Sequence, residues 1–205
     1  MNETPLSVLI CEDETILRIW LQRELQQRGY RVVGMAQDGL EAIEAAELLE
    51  PDLIVMDIKM PRCDGLTAST EIMNRKPTAI LILTAYGESE TVARALEIGV
   101  SGYLVKPVDS SQVGPALAMA HAKFSELMGL RENVASLEEA LEQRKLLDRA
   151  KGILIRHLGI DEPGAHRLLQ QLSNRQRTPL KQVLQGIIEA DKAGNLAKTL
   201  NLTGT

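Results

Sequence analysis

The stretch LIVMDIKMPRCDG, residues 53–65, decides how this chain folds. Its apolar run Leu53-Ile54-Val55-Met56 stops at one carboxylate, Asp57, and two chain-turning pairs follow, Met60-Pro61 and Asp64-Gly65. A short apolar run closed by turn signals reads as a strand buried on both faces. Asp57 then stands at the C-terminal end of a central strand. In open α/β sheets that edge is where ligands and chemistry collect. A lone Asp there serves equally well as a cap on the next turn. What stands at the other strand ends distinguishes the two.

Upstream, residues 6–11 form an apolar β-type run that ends in Glu12-Asp13-Glu14. Residues 15–28 carry Leu17, Leu21 and Leu25 on one helix face, and Gly29 closes the helix. Trp20 lies off that stripe and is expected to be partly exposed or to pack its edge on the helix flank. A second strand spans 31–36, and a helix over 39–49 places Leu40, Ile43 and Ala46 at periodic spacing before Pro51. Downstream, a helix over 66–76 precedes Pro77, the run AILILT (79–84) is a strand, and a helix over 88–98 is closed by Gly99. A short strand, 102–105, meets Lys106-Pro107, and a helix over 110–124 turns Val113, Leu117 and Ala120 inward. Strands alternating with helices in this way specify parallel βαβ units, hence an α/β, doubly wound, five-stranded sheet.

The notable polar residues then fall at strand ends: Glu12 and Asp13 after the first, Asp57 on the third, Thr84 on the fourth, Lys106 after the fifth. Capping alone does not explain that coincidence. Three carboxylates carry too much like charge to share an edge unpaired. A hard divalent cation relieves it, and Mg²⁺ suits a site with few protein ligands that keeps waters and takes a phosphoryl oxygen. With Lys106 as a compact cation and Thr84 as a hydroxyl donor, Asp57 could accept a phosphoryl group as an acyl phosphate. Neither a His or Cys nucleophile nor a Gly-rich phosphate loop is part of this set.

Composition bounds the rest. The 205 residues suit one large and one small domain. No apolar run approaches the ~20 residues of a membrane helix, and the N-terminus MNETPLSV lacks a signal-peptide layout. Cys11 and Cys63 are too few for a disulfide framework or a zinc site, and a cytoplasmic location with reduced thiols is expected. Residues 1–125 carry 11 Lys/Arg and 18 Asp/Glu, net −7; residues 142–205 carry 11 and 6, net +5. That split suggests two modules, the second either facing a polyanion or merely well solvated.

The helix from 110 is expected to run on. Leu127, Leu130, Val134, Leu137 and Leu141 repeat at alternating spacings of three and four, a heptad seam that Arg144 ends. The seam either packs on its own chain or pairs two copies. Beyond it, Leu146, Leu147, Ala150, Ile153 and Leu154 form an inner face, and Gly159 closes the helix. Asp161 is an N-cap for a helix carrying Ala165, Leu168, Leu169 and Leu172. Thr178-Pro179 reads as N-cap and N1 of a helix reaching about Ala190, with a loose tail after it. These form a small three-helix domain joined to the first module by the long helix. From pattern alone the basic faces bind nucleic acid or remain solvated surface. Scattering of the cations over three helices speaks against a DNA recognition helix.

Over about 6–124 the chain resembles the receiver domain of two-component response regulators, through Glu12-Asp13, Asp57 in VMDIKMPRCDG, Thr84 in LTA, and Lys106-Pro107 in YLVKP. The resemblance implies a flavodoxin-like sheet of strand order 2-1-3-4-5. It implies a sensor histidine kinase as phosphodonor and Asp57 as phosphoacceptor. Mg²⁺ would be held by Asp13, Asp57 and the backbone carbonyl of Lys59, with Glu12 nearby or through water. Lys106 would pair with phosphoryl oxygens, Thr84 would swing toward them, Tyr103 would change rotamer, and Lys106–Pro107 would be cis. Phosphorylation would act as an electrostatic switch rather than as enzyme catalysis.

Residues 137–190 resemble the ANTAR domain of transcription antitermination regulators, through Arg144, Ala150-Lys151-Gly152, Leu158-Gly159-Ile160, Ala165, Leu168-Leu169 and the helix from Leu180. The implied partners are paired RNA hairpins in mRNA leaders. Ala150, Lys151 and Gly152 would lie on the RNA-facing helix, with Arg149, Arg156, Arg175 and Arg177 as further contacts chosen for charge. Residues 126–205 contain no Phe, Tyr or Trp, so His166 or an arginine must supply stacking. The domain boundaries expected are 1–124, 125–142 for the helical linker, 143–192 and a flexible tail over 193–205. The competing reading is a relay whose helical tail binds a protein instead of RNA.

Overall fold

The computed structural model describes residues 5–85 and 89–196, with side chains over 5–85 and 93–196. Glu88, read as the start of the fourth helix, and residues 197–205 of the expected tail lie outside the described residues. The chain divides into two compact units, Met1–Leu130 and Arg131–Thr205.

The first unit alternates β1 (Ser7–Cys11), α1 (Thr15–Gln27), β2 (Arg31–Ala36), α2 (Gly39–Leu49), β3 (Leu53–Asp57), α3 (Gly65–Arg75), β4 (Ala79–Ala85), α4 (Ser89–Ile98) and β5 (Gly102–Lys106) before α5 (Ser110–Leu158) begins. All strand pairs are parallel, and the order is β2-β1-β3-β4-β5. Alternation along the strands explains why both faces are covered. Leu9, Cys11, Ile54, Met56, Ile80 and Ile82 form one core with α2, α3 and Val100. Val8, Ile10, Leu53, Val55, Leu81 and Leu83 form the other with Leu21, Leu25, Val113, Leu117 and Ala120. Trp20 packs partly buried against this second layer.

Register aligns the strand ends. Cys11 pairs with Met56, Asp57 with Leu83, and Thr84 with Val105, so the residues after or at those positions share one edge. Two close approaches keep the loops over that edge. A Cβ on Gly65 would lie 1.9 Å from the Asp57 carbonyl oxygen, and one on Gly39 would lie 2.4 Å from that of Cys63. Asp64 is the N-cap of α3 and accepts from the amides of Leu66 and Thr67, so α3 starts one residue earlier than its apolar pattern suggests. In α2 the buried face is Gly39, Ala42 and Ala46; Leu40 is 46% exposed, because the helix turns its small residues to the sheet.

The second unit comprises the rest of α5, α6 (Glu162–Gln176) and α7 (Leu180–Lys192). Its core is Ala150, Ile153, Leu154, Ala165, Leu169, Leu172, Val183, Leu184, Ile187, Ile188, Ala190 and Leu196. Leu196, assigned above to a loose tail, is buried, and the Asn195 amide donates to the Ala190 carbonyl. Pro179, expected at N1 of α7, is instead its N-cap, and the Thr178 hydroxyl turns back to the Gln176 carbonyl. Proline fits there because its fixed φ of −52° with ψ 139° needs no amide donor. Asp161 caps α6 as expected, accepting from the Gly164 amide at 2.9 Å. Asp161→Ala should cost about 1 kcal/mol of stability, read as a lower denaturation midpoint with an unchanged denaturant slope. Among the described residues no helix is long and apolar enough to cross a membrane.

Candidate functional site

β1, β3, β4 and β5 bring one charged cluster together at the C-terminal edge of the sheet. Glu12 is fully buried, Asp57 is 5% exposed, and Asp13 is exposed. One carboxylate oxygen from each lies within 4.8 Å of the others, a spacing that one divalent cation can span. Lys106, from the end of β5, donates to Glu12 Oε2 at 2.8 Å and sits 3.0 Å from Asp57 Oδ1. The Lys106–Pro107 bond is cis. The Ile58 amide donates to the same Asp57 oxygen at 2.9 Å. Asp57 Oδ1 is thus already bonded by amide and ammonium.

Burial raises the Glu12 and Asp57 carboxyls above their ordinary range, although Lys106 pulls both back. Burial also works against the Lys106 ammonium, but the hydrogen bond to Glu12 and the charge of Asp57 outweigh it and leave its pKa raised. Glu12 bonds Lys106 directly. Spacing along the chain could not reveal that contact.

Thr84 is buried at the end of β4 and donates to the Ala85 carbonyl at 3.4 Å. Tyr103 on β5 is 47% exposed, and Lys59 is exposed in the loop after β3. Arg18, passed over in the sequence, holds the acidic loop: its Nη1 donates to the carbonyls of Glu12 at 2.5 Å and Asp13 at 3.1 Å. A basic residue one turn into the helix after an acidic pair was the available signal. Arg62 adopts a left-handed φ of 62° and pairs with Asp38 and Glu41, pinning the loop after Asp57 to α2. Beside Lys106, Ile16, Leu17, Trp20, Pro107 and Val108 line a groove of about 530 Å³.

In the second unit the expected RNA-facing residues separate. Ala150 is fully buried in the helical core and is withdrawn as a contact, because the alanine packs where α5 meets the other helices. Lys151 is 14% exposed and bound to Glu162 at 2.8 Å and Asp148 at 3.2 Å. Those acids raise its pKa. Arg149, Arg156, Arg175 and Arg177 are exposed. His166 is half-buried, with Nε2 3.2 Å from Gln170 Nε2. On α5 the seam residues stand out in solvent: Leu127 is 37% exposed, Leu130 56%, Val134 54%, Leu137 70% and Leu141 52%.

Residues 8–118 match the response regulator receiver domain, and residues 135–188 match the ANTAR domain. The transcriptional regulatory protein PdtaR of Mycobacterium tuberculosis is 44% identical over 185 residues, 90% of each chain. The chemotaxis protein CheY of Thermotoga maritima is 39% identical over 111 residues, 54% of this chain and 92% of its own. Among solved structures, the receiver domain of the response regulator NarL from Mycobacterium tuberculosis superposes with a TM-score of 0.56 at 27% identity, covering 58% of this chain and 98% of that one.

Proposed function

This chain belongs to the response regulator family, a receiver domain coupled to an ANTAR domain, and on that footing we propose that Asp57 is its phosphoacceptor and that the helical unit binds RNA. The observation that carries the phosphoacceptor assignment is the Glu12–Lys106–Asp57 triad, with Asp13 completing three carboxylates within reach of one cation. The family's role is regulatory, not enzymatic.

A histidine kinase supplies the phosphoryl group. The donor must reach Asp57 from outside, so its docking surface borders the site, and the apolar groove beside Lys106 is available there. Asp13, Asp57 and the Lys59 carbonyl, with Glu12 adjoining, would hold Mg²⁺, which when bound would screen the charge between nucleophile and phosphoryl oxygens. Asp57 Oδ1 is held by Lys106 and the Ile58 amide, which leaves Oδ2 to attack phosphorus as the P–N bond of the donor's phosphohistidine breaks and its imidazole departs. Lys106 and Thr84 then take phosphoryl oxygens, and the ~−2 charge arriving at a buried edge shifts Thr84 at the end of β4 and Tyr103 on β5.

The output acts in transcription antitermination by binding paired hairpins in mRNA leaders. An exposed run of five apolar residues at heptad spacing supports pairing of two copies through Leu127–Leu141. Burying those side chains offsets what a seam this short lacks in isolation.

The decisive experiment is phosphorylation of the full chain by acetyl phosphate with Mg²⁺, followed by peptide mapping and light scattering. One phosphoryl adduct on Asp57, abolished in Asp57→Asn and by chelation of Mg²⁺, with a doubled mass in solution, is expected. An adduct that persists in Asp57→Asn removes Asp57 from this role. An unchanged monomer removes the seam from the switch.

A further inference from the structure

We propose that Arg18 is a positioning residue for the metal: it fixes where Asp13 stands and so sets how tightly the acidic edge holds a divalent cation. This rests on the reading that Mg²⁺ binds among Glu12, Asp13 and Asp57. Arg18 lies one turn into α1, beside a loop that carries three carboxylates in a row, Glu12, Asp13 and Glu14. Among the described residues its guanidinium bonds none of those carboxylates. Nη1 donates instead to the main-chain carbonyls of Glu12 at 2.5 Å and Asp13 at 3.1 Å, and Nη2 donates to the Thr15 hydroxyl at 3.3 Å. Donors aimed at carbonyls hold the loop and leave its side-chain oxygens to a cation. An arginine paired with the Asp13 carboxylate would compete with the metal for it.

The two acids at the head of the loop differ in how else they are held. Glu12 has three further anchors: its amide donates to the Ala36 carbonyl at 3.0 Å, Oε1 accepts from the Glu14 amide at 3.2 Å, and Oε2 accepts from Lys106 at 2.8 Å. Asp13 is exposed, and among the described residues the Arg18 bond to its carbonyl is its one hydrogen bond. Glu14, the N-cap of α1, makes no side-chain bond to the helix start and so does not tighten the turn. A ligand carried on a loose turn must be ordered when the cation arrives, and that ordering weakens binding. Arg18 orders it beforehand. The charge of Arg18 acts the other way, because a cation near the site repels the metal. Position and charge therefore affect metal affinity with opposite signs.

The test titrates the full chain with Mn²⁺, read from loss of the free-ion electron paramagnetic resonance signal, and with Mg²⁺ by displacement of Mn²⁺. Arg18→Met should weaken both about tenfold, the lower end of what outer partners of a metal ligand contribute. Arg18→Lys keeps the charge on a stem too short to bridge both carbonyls, and should weaken both by less. Arg75→Met, which removes an exposed pair with Glu47, should leave both affinities unchanged. Acetyl-phosphate labelling gives a second readout. In Arg18→Met the Mg²⁺ concentration for half-maximal rate should rise about tenfold, with the rate at saturating Mg²⁺ equal to wild type. A residue that only supports the fold would not split the two in that way. If Arg18→Met binds Mn²⁺ as tightly as wild type, or more tightly, Arg18 acts as a fold element or a charge; the proposal is overturned and the metal site stands. Should Arg18→Met not fold, Arg18→Lys decides by the same comparison. If wild type binds no Mn²⁺, the metal reading falls and this one with it.

Discussion

Replacing Gly65 by alanine is expected to cost about 3 kcal/mol or more and to scatter the acidic site. The new methyl would stand 1.9 Å from the Asp57 carbonyl oxygen and 2.9 Å from its carbon. Those are backbone atoms, so no rotamer change relieves the clash. Either the β3–α3 loop lifts, breaking the 2.8 Å bond from the Gly65 amide to the Ile58 carbonyl, or β3 shifts in the sheet. Both moves displace Asp57 relative to Lys106. Thermal unfolding should fall by on the order of 10 °C, and acetyl-phosphate labelling should fail even in protein that remains folded. A variant with wild-type melting and labelling would show that the loop yields freely and that Gly65 does not set the position of Asp57.

Lys106→Met should destabilise the chain by about 3 kcal/mol at neutral pH, because it strands two buried carboxylates without their counter-charge. Methionine keeps the apolar stem, so the loss is of charge. The pH dependence has a definite sign. Glu12 and Asp57 already titrate above their ordinary values because they are buried, and removing the ammonium raises them further. A carboxyl raised in the folded state favours folding when protonated. Its contribution is full below the unfolded value, 4.5 for Glu12, and is lost as pH rises through the folded value. The deficit of the variant is therefore largest at neutral and alkaline pH and shrinks on acidification. Mg²⁺ should recover more stability in the variant than in wild type, since a cation among three carboxylates replaces the missing charge. Melting curves across pH, with and without Mg²⁺, test both. A deficit independent of pH would mean that Lys106 contributes packing and not charge.

Much of this molecule is visible without coordinates, for identifiable reasons. LIVMD and AILILT are short, continuous and bounded by turns, so their strands begin as read and end within one residue. Once βαβ alternation is recognised, parallel pairing follows, and Asp57, Thr84 and Lys106 must share an edge because strand C-termini do. Asp161 was legible because capping is local: its side chain bonds an amide three residues on. The heptad seam was legible as a pattern, and its side chains are exposed in the chain by itself.

What stayed hidden depends on groups far apart in sequence. Glu12 and Lys106 are 94 residues apart, and nothing local says that the first is wholly buried and accepts a hydrogen bond from the second. Pro179 became a cap, not a first helical residue, because the Thr178 carbonyl is held by Ser173 across the turn from α6. Ala150 and Lys151 look equally suited to an RNA surface in a string of letters. Only the packing of α5 against α6 and α7 turns the alanine inward and adds Glu162 of α6 to the Asp148 that the lysine already meets on its own helix. The order of residues by itself determined the sheet, its charged edge and the helical periodicities, because those follow from spacing. Tertiary structure alone decided which charges are buried, paired or left to face a ligand, because desolvation and ion pairing are set by neighbours that only the fold supplies.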